Sequence, residues 1–339
     1  LREIKTEQAI GMVLGHDLTK IIPGKFKGRA FKKGHIIRQQ DIEELLSMGK
    51  EYIYILDIKE GELHEDDAAE RLAKAIYGPN IELSETSEGK VNLSAAIDGL
   101  LKINQEAIVA MNTVADIAIA TLHSNRIVKK GEKLAGTRAV PLVIDEEKIK
   151  TVETIAKNFE PVIQVMPIRS LKVGMVTTGS EVFKGRIPDA FGPVVTKKLA
   201  ALGSEVVEQI FVPDDLDEIQ AAVNKLMDKG VEMIITTGGM SVDPDDRTPG
   251  AIKALGAEIV TYGTPILPGS MLLLAYYKGI PVLGLPGCVM YEKSTSFDLI
   301  LPRVLANEPI TREDIARLGY GGLCLSCQPC TFPHCSFGK

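Results

Sequence analysis

The chain lacks any excess of positive charge: 39 Lys and Arg stand against 45 Asp and Glu in 339 residues, a formal charge of −6. No global field therefore exists to hold nucleic acid or an anionic membrane, and any anion must be bound locally. It also lacks long apolar runs, since stretches such as 271–277 fall far short of the roughly 20 residues that cross a bilayer. No basic, apolar and small-residue leader follows Leu1, so no secretory signal is read and the expected compartment is the cytoplasm. Cysteine is nearly absent until the last sixteen residues, which hold Cys324, Cys327, Cys330 and Cys335; the fifth is Cys288. That excludes a disulfide framework spread through the chain and points to a local metal or redox site. Neither GxGxxG nor GxxxxGK followed by Ser or Thr occurs, which removes the ordinary dinucleotide and Walker fingerprints.

What is present, 45% hydrophobic and 25% charged residues, suits about two globular domains and excludes disorder, collagen and coiled coil for the whole chain. Residues 1–166 read as an accessory mixed α+β region. Short β-type runs near Ile4, Ile36 and 52–56 alternate with glycine turns, and 41–48 reads as a short helix stopped by Gly49. Seven basic residues between Lys20 and Arg38 (Lys20, Lys25, Lys27, Arg29, Lys32, Lys33, Arg38) meet no carboxylate, and read as a solvated hairpin face in preference to an anion or partner site. The acidic run after His64 reads as a helix start favoured by the dipole, with metal binding as the lesser alternative. Apolar residues at Leu93, Ile97, Leu100, Ala107, Met111, Val114, Ala118 and Leu122 keep three-and-four spacing, and predict one long buried helix over 92–123. A boundary is expected at 161–167.

From Leu171 the pattern becomes strand, loop, helix: strands at 172–177, 205–212, 231–236 and 258–262, helices at 193–202, 215–229, 248–255 and 290–305. This alternation predicts an α/β fold, a mostly parallel sheet with helices on both faces, and ligands bound beyond the carboxyl ends of the strands. The loops there are rich in glycine and hydroxyls: 177–181, 237–241 and 284–288. Such residues let backbone amides close on a phosphate. Asp214 and the group Asp243, Asp245 and Asp246 accompany them. Carboxylates beside a phosphate are repulsive unless a cation such as Mg²⁺ intervenes, although capping of the helix at Thr248 and Pro249 is the alternative for the group.

The phrases Thr178-Gly-Ser-Glu181, Gly185-Arg-Ile187, 235–242 (Ile-Thr-Thr-Gly-Gly-Met-Ser-Val), Leu267-Pro-Gly269 and Gly284-Leu-Pro-Gly287 resemble the molybdopterin-binding domain of molybdenum cofactor biosynthesis proteins of the MoeA and MogA type, over about 168–307. Residues 30–37 and Asp41-Ile42 are similar to MoeA lead-in regions. The resemblance implies a three-layer αβα domain at 167–310 that binds molybdopterin through Thr178, Gly179, Ser180, Glu181, Thr237, Gly238, Gly239, Met240, Ser241, Thr248, Pro268, Gly269, Ser270, Pro286 and Gly287. It implies Asp214 and Asp246 as catalytic residues holding Mg²⁺. The implied reaction is either adenylylation of molybdopterin by Mg-ATP or insertion of molybdate into adenylylated molybdopterin, with a non-catalytic cofactor carrier serving a molybdoenzyme as the alternative. By analogy a homodimer or trimer is expected. The sequence departs from the MoeA pattern at Leu267, Ser270 and Cys288, where lysines and an asparagine are usual, and at Ser180, where Asp is common. Cys288 itself reads as a small buried residue. The tail 311–339 carries Cys-x2-Cys-x2-Cys-x4-Cys, four thiols able to close on Zn²⁺ or an iron–sulfur cluster, with redox disulfides or a free-thiol tail as the other readings.

Overall fold

The computed structural model describes residues 2–22, 26–56, 58–241, 243 and 246–339, with Phe26 through its backbone alone. Lys25, Val242 and Asp245, named above, lie outside the described residues. Two compact units divide the chain: one spans 1–124 and 128–166, the other 125–127 and 167–339.

In the first unit, the Arg2–Lys5 and Tyr52–Ile55 strands pair antiparallel, and Leu18–Ile22 pairs with Phe26–Phe31 as a hairpin. With the Asp41–Ser47 helix these enclose a small core of Leu14, Ile37, Leu45 and Ile53. The basic stretch lies partly on this hairpin, where Lys20 pairs with Glu44 at 2.9 Å and Arg29 with Asp17 at 2.7 Å. His64 caps the Glu65–Ile76 helix: its Nδ1 accepts the Asp66 N–H, and its Nε2 bonds the Gly15 carbonyl. The acidic residues that follow occupy the first helical turn, where the dipole favours them.

The long helix expected over 92–123 is not formed. The span holds strands Lys90–Ala95 and Gly99–Ile103, a short helix Gln105–Asn112 and a strand Ile117–Thr121. The apolar residues do face one core, but through two periodicities. Alternate residues are buried in Lys90–Ala95 and Ile117–Thr121, while Ala107 and Met111 are one helical turn apart. Local signals break the helix at both ends: Asn104 caps it by accepting the Ala107 N–H at 3.0 Å, and Asp116 adopts a left-handed φ of 71°. Gly99 is fixed by packing, because a Cβ there would come within 2.3 Å of the Met166 carbonyl oxygen.

The second unit is built on a six-stranded sheet in the order Glu205–Val212, Lys172–Thr178, Met233–Thr237, Ile280–Leu285, Leu273–Tyr277, Glu258–Tyr262. The first four are parallel, Leu273–Tyr277 runs antiparallel to both its neighbours, and Glu258–Tyr262 at the edge again shares the direction of the first four. Lys278 and Gly279, both with positive φ, make the two-residue turn that matches strand twist in a hairpin. Alternation splits the interior in two. Val173, Met175, Met233 and Ile235 pack with the Phe191–Ala200 and Ser296–Leu305 helices, whereas Val176 and Ile234 pack with Leu216–Asp228 and Thr248–Ala254. The expected three-layer αβα architecture is therefore present. The 311–339 segment is part of this unit: Ile315, Leu318 and Phe337 join the first of its two cores. No helix among the described residues is long and apolar enough to cross a membrane.

Candidate functional site

Parallel strands deliver their following loops to one edge of a sheet. The Met233–Thr237 and Ile280–Leu285 strands are neighbours, and the loops after them meet the 267–271 turn around a cavity of about 520 Å³. Its lining comprises Gly238 to Ser241, Asp246, Leu267 to Met271, Leu285 to Cys288, Phe191 and Tyr291. The size lies within the usual range for small-molecule sites. Met240, Pro268, Gly269, Ser270, Pro286 and Gly287 are thus brought together with Gly238, Gly239, Ser241 and Asp246.

The Gly238-Gly239 turn has φ values of 83° and 55°, a conformation that costs an L side chain. Space is just as restrictive, since a Cβ on Gly238 would lie 2.2 Å from the Thr178 carbonyl oxygen. Gly238→Ala is expected to lower stability by about 1–3 kcal/mol from backbone strain alone, and to displace the 238–241 segment from the cavity. Thermal unfolding and ligand titration of the variant would check this; unchanged values in both would contradict the assignment.

Thr178, Thr237 and Thr248 stand behind the cavity wall and are not among its lining residues. All three are buried. Thr248 Oγ1 donates to the Gly238 carbonyl at 3.0 Å and meets Thr178 Oγ1 at 3.3 Å, and Thr237 Oγ1 donates to Thr177 Oγ1 at 3.0 Å. Thr248, backed by Thr178, holds the glycine turn in place, while Thr237 ties its own strand to Thr177, consistent with the rule that buried hydroxyls must find partners. Thr177 also accepts from Gln209 Nε2 at 2.8 Å, and the same nitrogen donates to Asp189 Oδ2 at 2.7 Å.

Gly179, Ser180, Glu181 and Asp214 also stand apart from the cavity lining. Asp214 Oδ2 accepts the Ser180 N–H at 2.9 Å and so fixes the 179–181 turn, while Glu181 is exposed. Asp246 is the one carboxylate among the described residues of the lining. Its Oδ2 accepts the Asp243 N–H at 3.1 Å and closes the turn before the helix; the helix at Thr248–Ala254 has Arg247 at its N-cap and no side-chain cap, so Asp246 does not cap it. Tyr262, at the end of the edge strand, donates its hydroxyl towards the Met240 and Ser241 carbonyls at 3.1 Å each. Burial, and next the Asp246 charge, push that phenol above its ordinary range and keep it a donor.

At the 267–271 turn, the Gly269 carbonyl accepts from Ser296 Oγ at 2.7 Å and Thr264 Oγ1 at 3.2 Å. Leu267 is bound on its other side, its N–H donating to Gly322 O at 2.8 Å and its carbonyl accepting the Cys324 N–H at 2.7 Å. Cys288, expected to be buried, is half-buried and lines the cavity, and burial pushes its thiol upward. The reason is the short 3-10 turn at Gly287–Met290, which separates it from the helix that begins only at Ser296. Tyr262, Ser296, Gln209, Asp189 and Tyr291 escaped sequence reasoning. Tyr262 alone had a local signal, a tyrosine closing a strand before a Gly-Thr turn.

The expected four-thiolate metal site is not formed. Among the described residues no three His, Cys, Asp or Glu side chains are grouped so as to hold a metal ion. Cys324, Cys327 and Cys330 line a second cavity, of about 480 Å³, while Cys335 packs against the core. Among the described residues Asp214 and Asp246 belong to no such group of three.

A fold of this kind, with glycine turns and a carboxylate at the carboxyl edge of its sheet, defines a ligand-binding α/β domain. Residues 174–306 match the family described as "Probable molybdopterin binding domain". Residues 3–57 match a domain family of unknown function. Among curated relatives, the molybdopterin molybdenumtransferase of Synechococcus elongatus is 31% identical over 153 residues, 42% of this chain and 38% of that protein. A CinA-like protein of Mycobacterium avium is 38% identical over 96 residues, 28% of this chain and 22% of its own length. The alignments thus span well under half of these relatives. The structure of the molybdopterin biosynthesis enzyme MoaB of Thermus thermophilus is 24% identical, with 41% of this chain and 98% of that one covered and a TM-score of 0.35.

Proposed function

We propose that the second unit binds molybdopterin, with the phosphate seated against the Gly238 to Ser241 turn, and adenylylates it with Mg-ATP. The observation carrying this reading is the convergence of that turn, Asp246, the 268–270 turn and the 286–287 turn on one cavity. Backbone N–H groups and the Ser241 and Ser270 hydroxyls are the donors such residues offer an anion. Among the described residues the lining contains no Lys, Arg or His. An anionic ligand there needs a counter-charge, and Asp246 fits the requirement of Mg²⁺ for one or two carboxylates with phosphate oxygens completing the shell. Bound there, the ion would neutralise charge developing at the α-phosphate. In the reaction a pterin phosphate oxygen bonds to the α-phosphorus of ATP, the α–β bridging bond breaks, and pyrophosphate leaves. Asp246 would orient the nucleotide through that ion, while Tyr262 engages the 240–241 carbonyls with its hydroxyl. The same lack of cations at Leu267, Ser270 and Cys288 disfavours insertion of molybdate as the main activity.

The carrier reading rests on a different observation: Asp214 is committed to the Ser180 N–H and is not among the cavity-lining residues, so one expected catalytic carboxylate is not delivered. A carrier would serve a molybdoenzyme and turn over no nucleotide. The protein is proposed to act in the cytoplasm as a homo-oligomer. Incubation with molybdopterin and Mg-ATP, with and without molybdate, tests these readings. Pyrophosphate release that depends on the pterin is expected; AMP release that depends on molybdate and adenylylated pterin would favour insertion. Tight pterin binding with neither product would favour the carrier, and no pterin binding would overturn both.

A further inference from the structure

Three thiols that assemble no metal site share one cavity. Cys324, Cys327 and Cys330 line it with Lys293, Glu292 and Gln328 at a polar rim. Their surroundings give each a different part. Cys327 is exposed and its Sγ lies 3.9 Å from the Thr331 hydroxyl. Cys324 is half-buried, and its Sγ accepts the N–H of Ser326, which turns the chain between the two with a φ of 48°. Cys330 sits by Ser294 Oγ at 3.8 Å, and Cys335 packs into the core.

We propose that Cys327 and Cys324 are a redox-active dithiol that exchanges with small-molecule disulfides bearing charged amino-acid groups. The Cys327 thiolate attacks one sulfur of the disulfide RSSR, a protein–SR bond forms, and RS⁻ leaves to take up a proton. The Cys324 thiolate then attacks the Cys327 sulfur and displaces the second RS⁻. Two protein thiols are oxidised to one disulfide while RSSR is reduced to two RSH. The polar rim of Lys293, Glu292 and Gln328 suits the ammonium, carboxylate and amide groups of such a reagent. Access and donors to sulfur favour Cys327 as the attacking thiol, since a thiolate is the nucleophile. The N–H and hydroxyl of Thr331 hold the Cys327 thiol below its ordinary range, opposite to the effect of burial on Cys288. The pair is joined to the other cavity by backbone: the Cys324 N–H is bonded to Leu267, a residue of that cavity wall.

Oxidised glutathione is the probe, with intact-mass and peptide mass spectrometry of the full chain as the readout. The wild type is expected to lose two hydrogens and yield a Cys324–Cys327 peptide. Cys324→Ser should trap one glutathione on Cys327, and Cys327→Ser should give neither product. A stable glutathione adduct on wild-type Cys327, a Cys327–Cys330 disulfide, or no reaction at any of the three would each overturn the proposal. Should the variants fail to fold, limited alkylation of the wild type with iodoacetamide across a pH series decides. Cys327 should be modified at a lower pH than Cys288, and the reverse order would overturn its role as the attacking thiol.

Discussion

Asp246→Asn is expected to lower Mg-dependent nucleotide use by about a hundredfold or more while the protein stays folded, the scale seen when one preorganised electrostatic contact is lost from a transition state. Asparagine keeps the carbonyl oxygen that accepts the Asp243 N–H at 3.1 Å, so the local turn survives. It removes the only negative side chain among the described residues of the cavity lining, and with it the counter-charge for a metal ion among phosphates. The pairing of two measurements makes the test specific. Pyrophosphate release in the presence of pterin should fall, and pterin binding in the absence of nucleotide should change little. Equal loss of both would mean that Asp246 serves the shape of the site; loss of neither would remove it from the reaction.

Arg303→Ala should cost about 3–5 kcal/mol of stability, the range for breaking one partner out of a buried ion pair. Arg303 is 3% exposed in its side chain and faces Glu308 at 2.6 Å and Asp314 at 3.3 Å. Desolvation opposes its charge, but Glu308 and then Asp314 more than compensate, so the guanidinium is held above its ordinary range. For a unit of this size the loss corresponds to a fall in Tm of about 6–20 °C. A pH dependence goes with it. Burial would raise the Asp314 carboxyl, yet the Thr311 hydroxyl and N–H, and Arg303, hold it below the usual carboxylate range. Its contribution is therefore fully present above the unfolded value of about 3.9, and is lost as pH falls through the lower folded value. Thermal scans of wild type and Arg303→Ala between neutral pH and pH 3 should draw closer towards the acid end; parallel curves would count against this assignment.

Legibility followed the range of the interactions. Alternating strands and helices after Leu171 were readable because each carries its own periodicity and turn residues, and the same local grammar exposed the glycine loops. Between Asn92 and His123 two periods lay end to end, and apolar positions from strands mimicked a helix. Gly99 and Asn104 were the breakers to heed. In the site, residues that line the cavity came from recognisable loops. Their supports came from far away in sequence: Ser296 reaches Gly269, and Gln209 reaches Thr177. Thr178, Thr237 and Thr248 looked like ligand donors because a hydroxyl beside a glycine suits either a ligand or the turn itself; only burial distinguishes the two.

The family match stops at residue 306, but the folding unit does not. Residues 322 and 324 are bonded to the backbone of Leu267 on the cavity rim, and Phe337 fills the interior beside Phe332. A domain transplanted into a chimera by its family boundaries would carry an unfinished wall, with the Leu267 amide and carbonyl stripped of partners and the Ile315, Leu318 and Phe337 contacts gone. The 174–306 module and the segment that follows it depend on each other structurally, so exchange of the one has to bring the other along.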